Sequence, residues 1–318
     1  MAFIRYDPPM SQNSPDPGAQ YSVRPVDEAG FTTSRVARLQ HNFHEHPMLQ
    51  LPALAQLAKS LEPLKQCRFV RRNITQGSSF KHDYQHPDGL SIDEVFERIH
   101  EPHSWIALYN IEANPDYAHL LGQIVDTVRP QIEREQPGIF LINGFMFISA
   151  PPSVTPFHID RENNFWLQLH GRKTMNVWDH TDREVVDAAT VEDFIVDKTL
   201  SRVRLKEEFR PRSHEFDTGP GDGVYFPSLS PHMTRSEPDW VTPGNGVSVS
   251  LGVTFYTSVT RQHARVYQVN RLMRNALKLQ PREPGESALR DGLKASLGGL
   301  VGAAHYRRTG AEAPPGVY

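Results

Sequence analysis

The spacing of apolar residues changes partway along the chain. From Ser34 to Leu61, residues Leu39, Leu49, Leu51, Leu54, Leu57 and Leu61 favour helix, with Pro47 and Pro52 as local starts or breaks. A short helix is expected over Ser91–Ile99. A longer one is expected from Tyr117 to about Ile132, where Leu120, Leu121, Ile124, Val125 and Val128 recur at helical spacing, with Pro130 as a reason to end sooner. After Pro137 the texture becomes strand-like: 139–142, 145–148, 165–169 and 174–178 are short β-rich runs separated by Gly, Pro and Asn. The pattern resumes at Val224–Phe226 and at 247–257, where Val247, Val249, Leu251, Val253 and Phe255 alternate with small and polar residues. Residues 261–279 return to helix with one apolar face: Val266, Val269, Leu272, Met273, Ala276 and Leu277.

Helical flanks around a β core, without βαβ alternation, predict an α+β fold with a barrel rather than a doubly wound sheet. The divisions expected are a flexible N-terminal arm over 1–30, a helical and strand flank over 31–135, a barrel core over 136–260, and a helical extension with a loose tail over 261–318. The arm is read from Pro8, Pro9, Pro15, Pro17 and Pro25 among small polar residues.

Composition narrows the classes. At 318 residues with 38% hydrophobic and 22% charged positions, the chain can bury a core; it has no apolar run long enough for a membrane span, and with the mixed stretch Met1 to Pro9 where a secretory signal needs an apolar run, neither spanning nor export is expected. Its one cysteine, Cys67, excludes an intrachain disulfide or a thiolate-rich metal site and makes the reducing cytoplasm the expected compartment. A formal charge of −3 gives no general pull toward nucleic acid. Among the 15 histidines, His41, His44 and His46 form a tract near Pro47 with only Glu45 as a carboxylate neighbour, and a surface role is expected for it.

Chemistry concentrates at Thr155-Pro156-Phe157-His158-Ile159-Asp160. On an extended strand, residues i and i+2 share a face, so His158 and Asp160 can hold one ion while Ile159 packs behind. His232, 72 positions after Asp160, completes two imidazoles and one carboxylate, the set that suits non-haem Fe(II) and leaves positions open. Gly219-Pro220-Gly221-Asp222-Gly223 and Val224–Pro227 place a tight turn and a short strand before His232.

That turn, strand, Pro and His order resembles the second motif of a cupin. The stretch from His158 to Asp179 resembles the cupin-like JmjC oxygenases, most closely the asparaginyl hydroxylase acting on hypoxia-inducible factor. The shared features are Thr155 three places before the first ligand, Asn164 six places after it, and Lys173 fifteen places after it, within the frames Asn164–Gln168 and Gly171–Lys173. Fainter likeness extends to Ser79-Phe80-Lys81 and to Ile106–Tyr109. On the last strand, Ser250 or Gly252 stands where that hydroxylase carries an Asn near its cosubstrate.

The resemblance implies a double-stranded β-helix, the cupin or jelly-roll barrel, with flanking N-terminal helices and a C-terminal helical extension. It implies an Fe(II)- and 2-oxoglutarate-dependent oxygenase with iron on His158, Asp160 and His232. Lys173 would then bind the far carboxylate of 2-oxoglutarate, with Thr155, Asn164 and Tyr109 beside it. Physical reasoning agrees at Lys173, since a dicarboxylate inside a barrel needs a fixed cation. Asn164, Trp166 and Gln168 are read as a shared cavity wall, with Phe165, Leu167 and Leu169 packing on the opposite face.

The expected reaction is hydroxylation of a C–H bond in a protein side chain or small molecule, with release of succinate and CO2. The alternatives are a metal cupin that does not use 2-oxoglutarate and a cupin-like binding module. Substrate-selecting side chains are placed on loops such as 180–218 and near the N-terminal arm. The apolar face of 261–279 is expected to find its cover in a homodimer contact or on the chain's own N-terminal helices, two readings that stand level.

Overall fold

A computed structural model describes residues 21–70, 74–79, 83–240 and 246–313. The flank contains β1 (Val23–Pro25), β2 (Ala37–His41), α1 (Leu51–Leu61), β3 (Cys67–Arg68), α2 (Ile92–Glu97), β4 (Trp105–Leu108) and α3 (Pro115–Glu133). The middle contains β5 (Phe140–Ser149), β6 (Ser153–His158), β7 (Asn163–His170), β8 (Lys173–Val177), α4 (Ala188–Asp197), β9 (His214–Thr218), β10 (Asp222–Phe226), β11 (His232–Ser236) and β12 (Ser248–Tyr256). The helices α5 (Ser258–Leu277) and α6 (Ala288–Thr309) follow.

Antiparallel pairing gives an eight-stranded sheet in the order β1-β2-β10-β7-β12-β5-β4-β3 and a four-stranded sheet β6-β11-β8-β9. Together they form a cupin-like arrangement consistent with a double-stranded β-helix. The period of two sorts the faces. Phe165, Leu167 and Leu169 on β7, with Val249, Leu251, Val253 and Phe255 on β12, join the core beneath α1 and α3. Trp166 faces the other way and packs between the sheets with Met175, Val177, Val224 and Phe226. Among the described residues, no helix is long and apolar enough to cross a membrane.

Several expectations change. Residues 37–41, read as helix, are β2, which pairs with β10 and widens the large sheet. Leu39 and His41 point inward at strand spacing, and only the stretch after Pro52 keeps a helical face, with Leu54, Leu57, Ala58 and Leu61 buried. Helix α3 continues through Pro130, which lies on the exposed side while Val128 and Ile132 are both fully buried. That packing holds the last turn against the loss of one backbone bond. The arm is ordered from Tyr21 on, as β1 pairs with β2; residues 1–20 lie outside the described residues, as do Phe80 and Lys81 of the fainter motif. The supposed loop 180–218 contains α4 and β9.

At the C-terminal end the expected loose tail is mostly α6, which packs along α5. A side chain at Gly298 would collide with the carbonyl of Arg265, so this glycine permits the close approach. The stripe proposed for 261–279 divides. Val266 and Val269 are buried within the chain, and the cover over this half of α5 comes from α4 and α6, not from the N-terminal helices. Leu272 and Leu277 remain 48% and 63% exposed.

The histidine tract is also different from expectation, because His41 and His46 are buried. The Nδ1 of His46 accepts from the Met48 N–H and caps the following turn. The Nε2 of His41 lies 3.1 Å from the Gln168 carbonyl and 3.2 Å from that of Asp222, tying β2 to β7 and β10. Burial first, and then the neighbouring His44, lower its pKa from 6.5 to about 4. Between those values the unfolded chain binds more protons, so stability is lost as pH falls through 6.5 toward 4, by up to ~3 kcal/mol from this residue. Denaturant unfolding across that window should show the loss, and His41→Gln should flatten the profile. An unchanged profile in the variant would remove His41 as its cause.

Candidate active site

His158 ends β6 and His232 begins β11, and the register of these adjacent strands sets the two residues directly opposite each other. Asp160 is not on the strand, as the same-face argument expected, but two residues past its end. Ile159 turns into the apolar cluster of Trp178, Leu229 and Met233, and the Asp160 carbonyl accepts the Leu229 N–H at 2.8 Å. The result is equivalent. The Asp160 carboxylate lies 3.4 Å from His232 Nε2 and 4.0 Å from His158 Nε2, and the imidazole centroids are 4.0 Å apart.

Both imidazoles are oriented from behind. The Nδ1 of His158 lies 2.7 Å from the Pro156 carbonyl, and that of His232 lies 3.0 Å from the Ser230 carbonyl. A carbonyl only accepts, so each Nδ1 carries the proton and each Nε2 lone pair faces Asp160. Burial lowers the His232 pKa to about 4, with His158 adding to the effect, and keeps the ring in its neutral ligating form. Burial also raises the Asp160 carboxyl, against the opposing pull of His232 and Arg161. A carboxylate beside two imidazoles held from behind is a donor set that a divalent cation would stabilise, and among the described residues it is the one such His and carboxylate group.

These residues open onto a cavity of about 110 Å³ that also contains Tyr109, Thr155, Asn164 and Lys173, so all seven site residues expected from sequence meet in one place. Lys173, the first residue of β8, is 2% exposed. Its Nζ has one long contact, 3.5 Å to Ser149 Oγ, and among the described residues no carboxylate pairs with it. Burial lowers its pKa to about 8. An uncompensated buried ammonium is costly unless an anion joins it. Thr234 Oγ1 is buried without a hydrogen-bond partner, so its hydroxyl is free to donate to such an anion. These observations fit an anionic, oxygen-rich ligand with one end near the His and Asp group and the other at Lys173.

Tyr109 follows β4 with its ring edge-on to Phe145 at 4.9 Å. Burial, and then Asp160, raise its phenol well above the ordinary range, so it is held as a neutral donor. The Gln168 part of the expected cavity wall does not hold. Its amide is engaged by the His170 carbonyl, Ser248 and Ser250, which leaves Ser250 away from the cavity and Gly252 lining it. Thr234 was missed. It lies opposite Thr155 in the register and two residues after His232, so strand alternation from a metal-ligand candidate was the available signal. Phe145 and Phe147, alternating on β5, complete an apolar wall with Trp166 and Met175.

Known proteins place this site in context. No curated protein matches the chain. Solved structures of YcfD, a ribosomal oxygenase from Escherichia coli, are similar over 76% of this chain. The complex with cobalt and 2-oxoglutarate aligns at 16% identity with a TM-score of 0.37, and the complex with cobalt and succinic acid at 15% and 0.35. The alignment covers 57% of the YcfD chain, so this chain spans less than two thirds of that protein's length. The DMSP lyase DddQ from Ruegeria pomeroyi aligns at 15% identity and TM-score 0.21, over 36% of this chain and 37% of that one. Residues 133–260, from the end of α3 into the first turn of α5 and including Thr155, His158, Asp160, Asn164, Lys173 and His232, match the family model described as the JmjC domain.

Proposed function

We propose that the chain is an Fe(II)- and 2-oxoglutarate-dependent oxygenase that hydroxylates a C–H bond of a protein side chain or small molecule. In balance, substrate, O2 and 2-oxoglutarate become hydroxylated substrate, succinate and CO2. The observation that carries this reading is Lys173, a buried cation without a carboxylate partner among the described residues, in the same small cavity as the His158, Asp160 and His232 group. A metal cupin of another kind has no use for that charge. The JmjC match over 133–260 supports the same reading.

In this role His158, Asp160 and His232 bind the metal, and the Pro156 and Ser230 carbonyls keep both imidazoles aimed. Lys173 neutralises the distal carboxylate of the cosubstrate, while Thr155, Thr234, Asn164 and Tyr109 supply neutral hydrogen bonds that fix its orientation. Phe145, Phe147, Trp166 and Met175 exclude water around those contacts and so strengthen them. Iron bound there would supply the activation of oxygen that no side chain provides.

The test is incubation of the Fe-loaded protein with 2-oxoglutarate and fractionated lysate. Succinate should accumulate, and a species heavier by one oxygen atom should appear, both absent with Asp160→Asn. Succinate formation equal in wild type and variant would contradict the assignment.

A further inference from the structure

The metal-binding group is not equally enclosed on all sides. The side chains of His158 and His232 are 7% and 6% exposed, whereas that of Asp160 is 33% exposed, so the group opens toward solvent past its carboxylate. Tyr109 stands on that side, where its phenol feels the Asp160 carboxylate and, with the opposite sign, the Arg68 guanidinium. The charges acting on Asp160 itself are those of His232 and Arg161, so Arg68 lies farther out. Arg68, the last residue of β3, has its Cζ 5.2 Å from the centre of the Tyr109 ring and 4.2 Å from that of Tyr84, which is 61% exposed. Metal ligand, tyrosine, arginine and exposed tyrosine thus follow one another from the cavity to the surface.

Arg68 has donors to spare. Its Nη1 donates to the carbonyls of Lys65 and Cys67, and among the described residues its Nε and Nη2 donate to no acceptor and no carboxylate pairs with it. Glu62 is close enough to act on Cys67, as Arg68 does, but makes no bond to Arg68 and leaves that edge open. The two backbone bonds and the two rings hold the guanidinium plane, and the Nε and Nη2 edge they leave is one that takes a carboxylate by two parallel bonds. An arginine fixed in this way loses little freedom when it binds.

We propose that Arg68 selects the substrate of the metal site by binding a carboxylate, and that this substrate is an acidic peptide segment. The inference rests on the oxygenase reading and narrows its substrate to protein. The layering decides against a small acid: a tyrosine ring separates Arg68 from the metal-binding group, so the anion is not on the carbon that reacts. In an extended peptide, side chains two residues apart share a face at a separation of about 7 Å. One can then enter past Tyr109 while the other reaches Arg68, with Tyr84 against its apolar stem. The formal charge of −3 on the whole chain opposes a nucleic acid, whose binding draws on many cations, and is compatible with a local site for one carboxylate.

Two libraries of short capped peptides test it, alike except that one carries Glu where the other carries Gln. They are passed over the full-length protein loaded with Mn(II) and 2-oxoglutarate, so that binding is read without turnover, and 2-oxoglutarate binding to the same sample is measured separately. Glu peptides should be retained roughly tenfold better than their Gln counterparts, the discrimination of one charge-assisted contact. Arg68→Gln should abolish that preference and Arg68→Lys should keep part of it. Equal retention of the two libraries by wild type, or a Glu preference that survives Arg68→Gln, would overturn the proposal. So would N-acetylglutamate binding as tightly as the peptides, which would mark a small acid, or displacement of the peptides by short single-stranded DNA at equal concentration, which would mark a polyanion. Failure of 2-oxoglutarate to bind would count against the oxygenase reading instead, and the Glu preference and its loss in Arg68→Gln would still be read.

Discussion

Asp160→Asn is expected to bind a divalent metal at least ~100-fold more weakly than wild type, because even outer-shell partners of metal ligands are worth 10–100-fold and this change removes the only anionic donor of the group. The same substitution should leave the metal-free barrel as stable as wild type or slightly more so. Burial raises the Asp160 carboxyl, which means that the empty site destabilises its charged form, and an amide of equal size removes that penalty. Anaerobic metal titration and thermal unfolding read the two effects separately. A variant with lower stability and full metal affinity would reverse both expectations. His158→Ala and His232→Ala should also lose tight binding, but each leaves a backbone carbonyl without its imidazole donor and should cost about 1–3 kcal/mol of stability.

Lys173→Met is expected to weaken 2-oxoglutarate by about 10- to 150-fold, the equivalent of 1.5–3 kcal/mol for a charge-assisted contact, with metal affinity unchanged. Its pH dependence follows from the lowered pKa. In the empty cavity Lys173 titrates near 8, against 10.5 unfolded, so between these values the unfolded chain holds more protons and the empty protein gains stability as pH rises. An anion on Nζ restores the charged form. Binding near pH 8 should therefore take up a fraction of a proton, and affinity should fall as pH rises further. Calorimetry in buffers of different ionisation enthalpy measures the uptake, which should vanish in Lys173→Met. Cosubstrate affinity unchanged in the variant would mean that the cation for the distal carboxylate is another residue.

The site was more legible in the sequence than its surroundings. The candidate group His158, Asp160 and His232 stands out because few residue types ligate metals, and Lys173 and Asn164 stand at the offsets that the JmjC resemblance implies. Thr234 does not stand out, because a threonine in a strand is ordinary until the strand beside it is known. Residues 37–41 were absorbed into a helical window because Leu39 fits either period, and the partner that makes them a strand, β10, lies far along the chain. Helix α6 was hidden by Gly292, Gly298, Gly299 and Gly302, which lower helix propensity while Gly298 allows the approach to α5.

The most direct test of the account is anaerobic calorimetric titration of 2-oxoglutarate into the full chain, first stripped of metal and then loaded with one equivalent of Mn(II) as an oxygen-inert substitute for iron. The account predicts one 2-oxoglutarate per chain, bound far more tightly with metal than without and lost in Asp160→Asn. No binding of 2-oxoglutarate to the metal-loaded protein, or binding indifferent to metal and to Asp160, would contradict it.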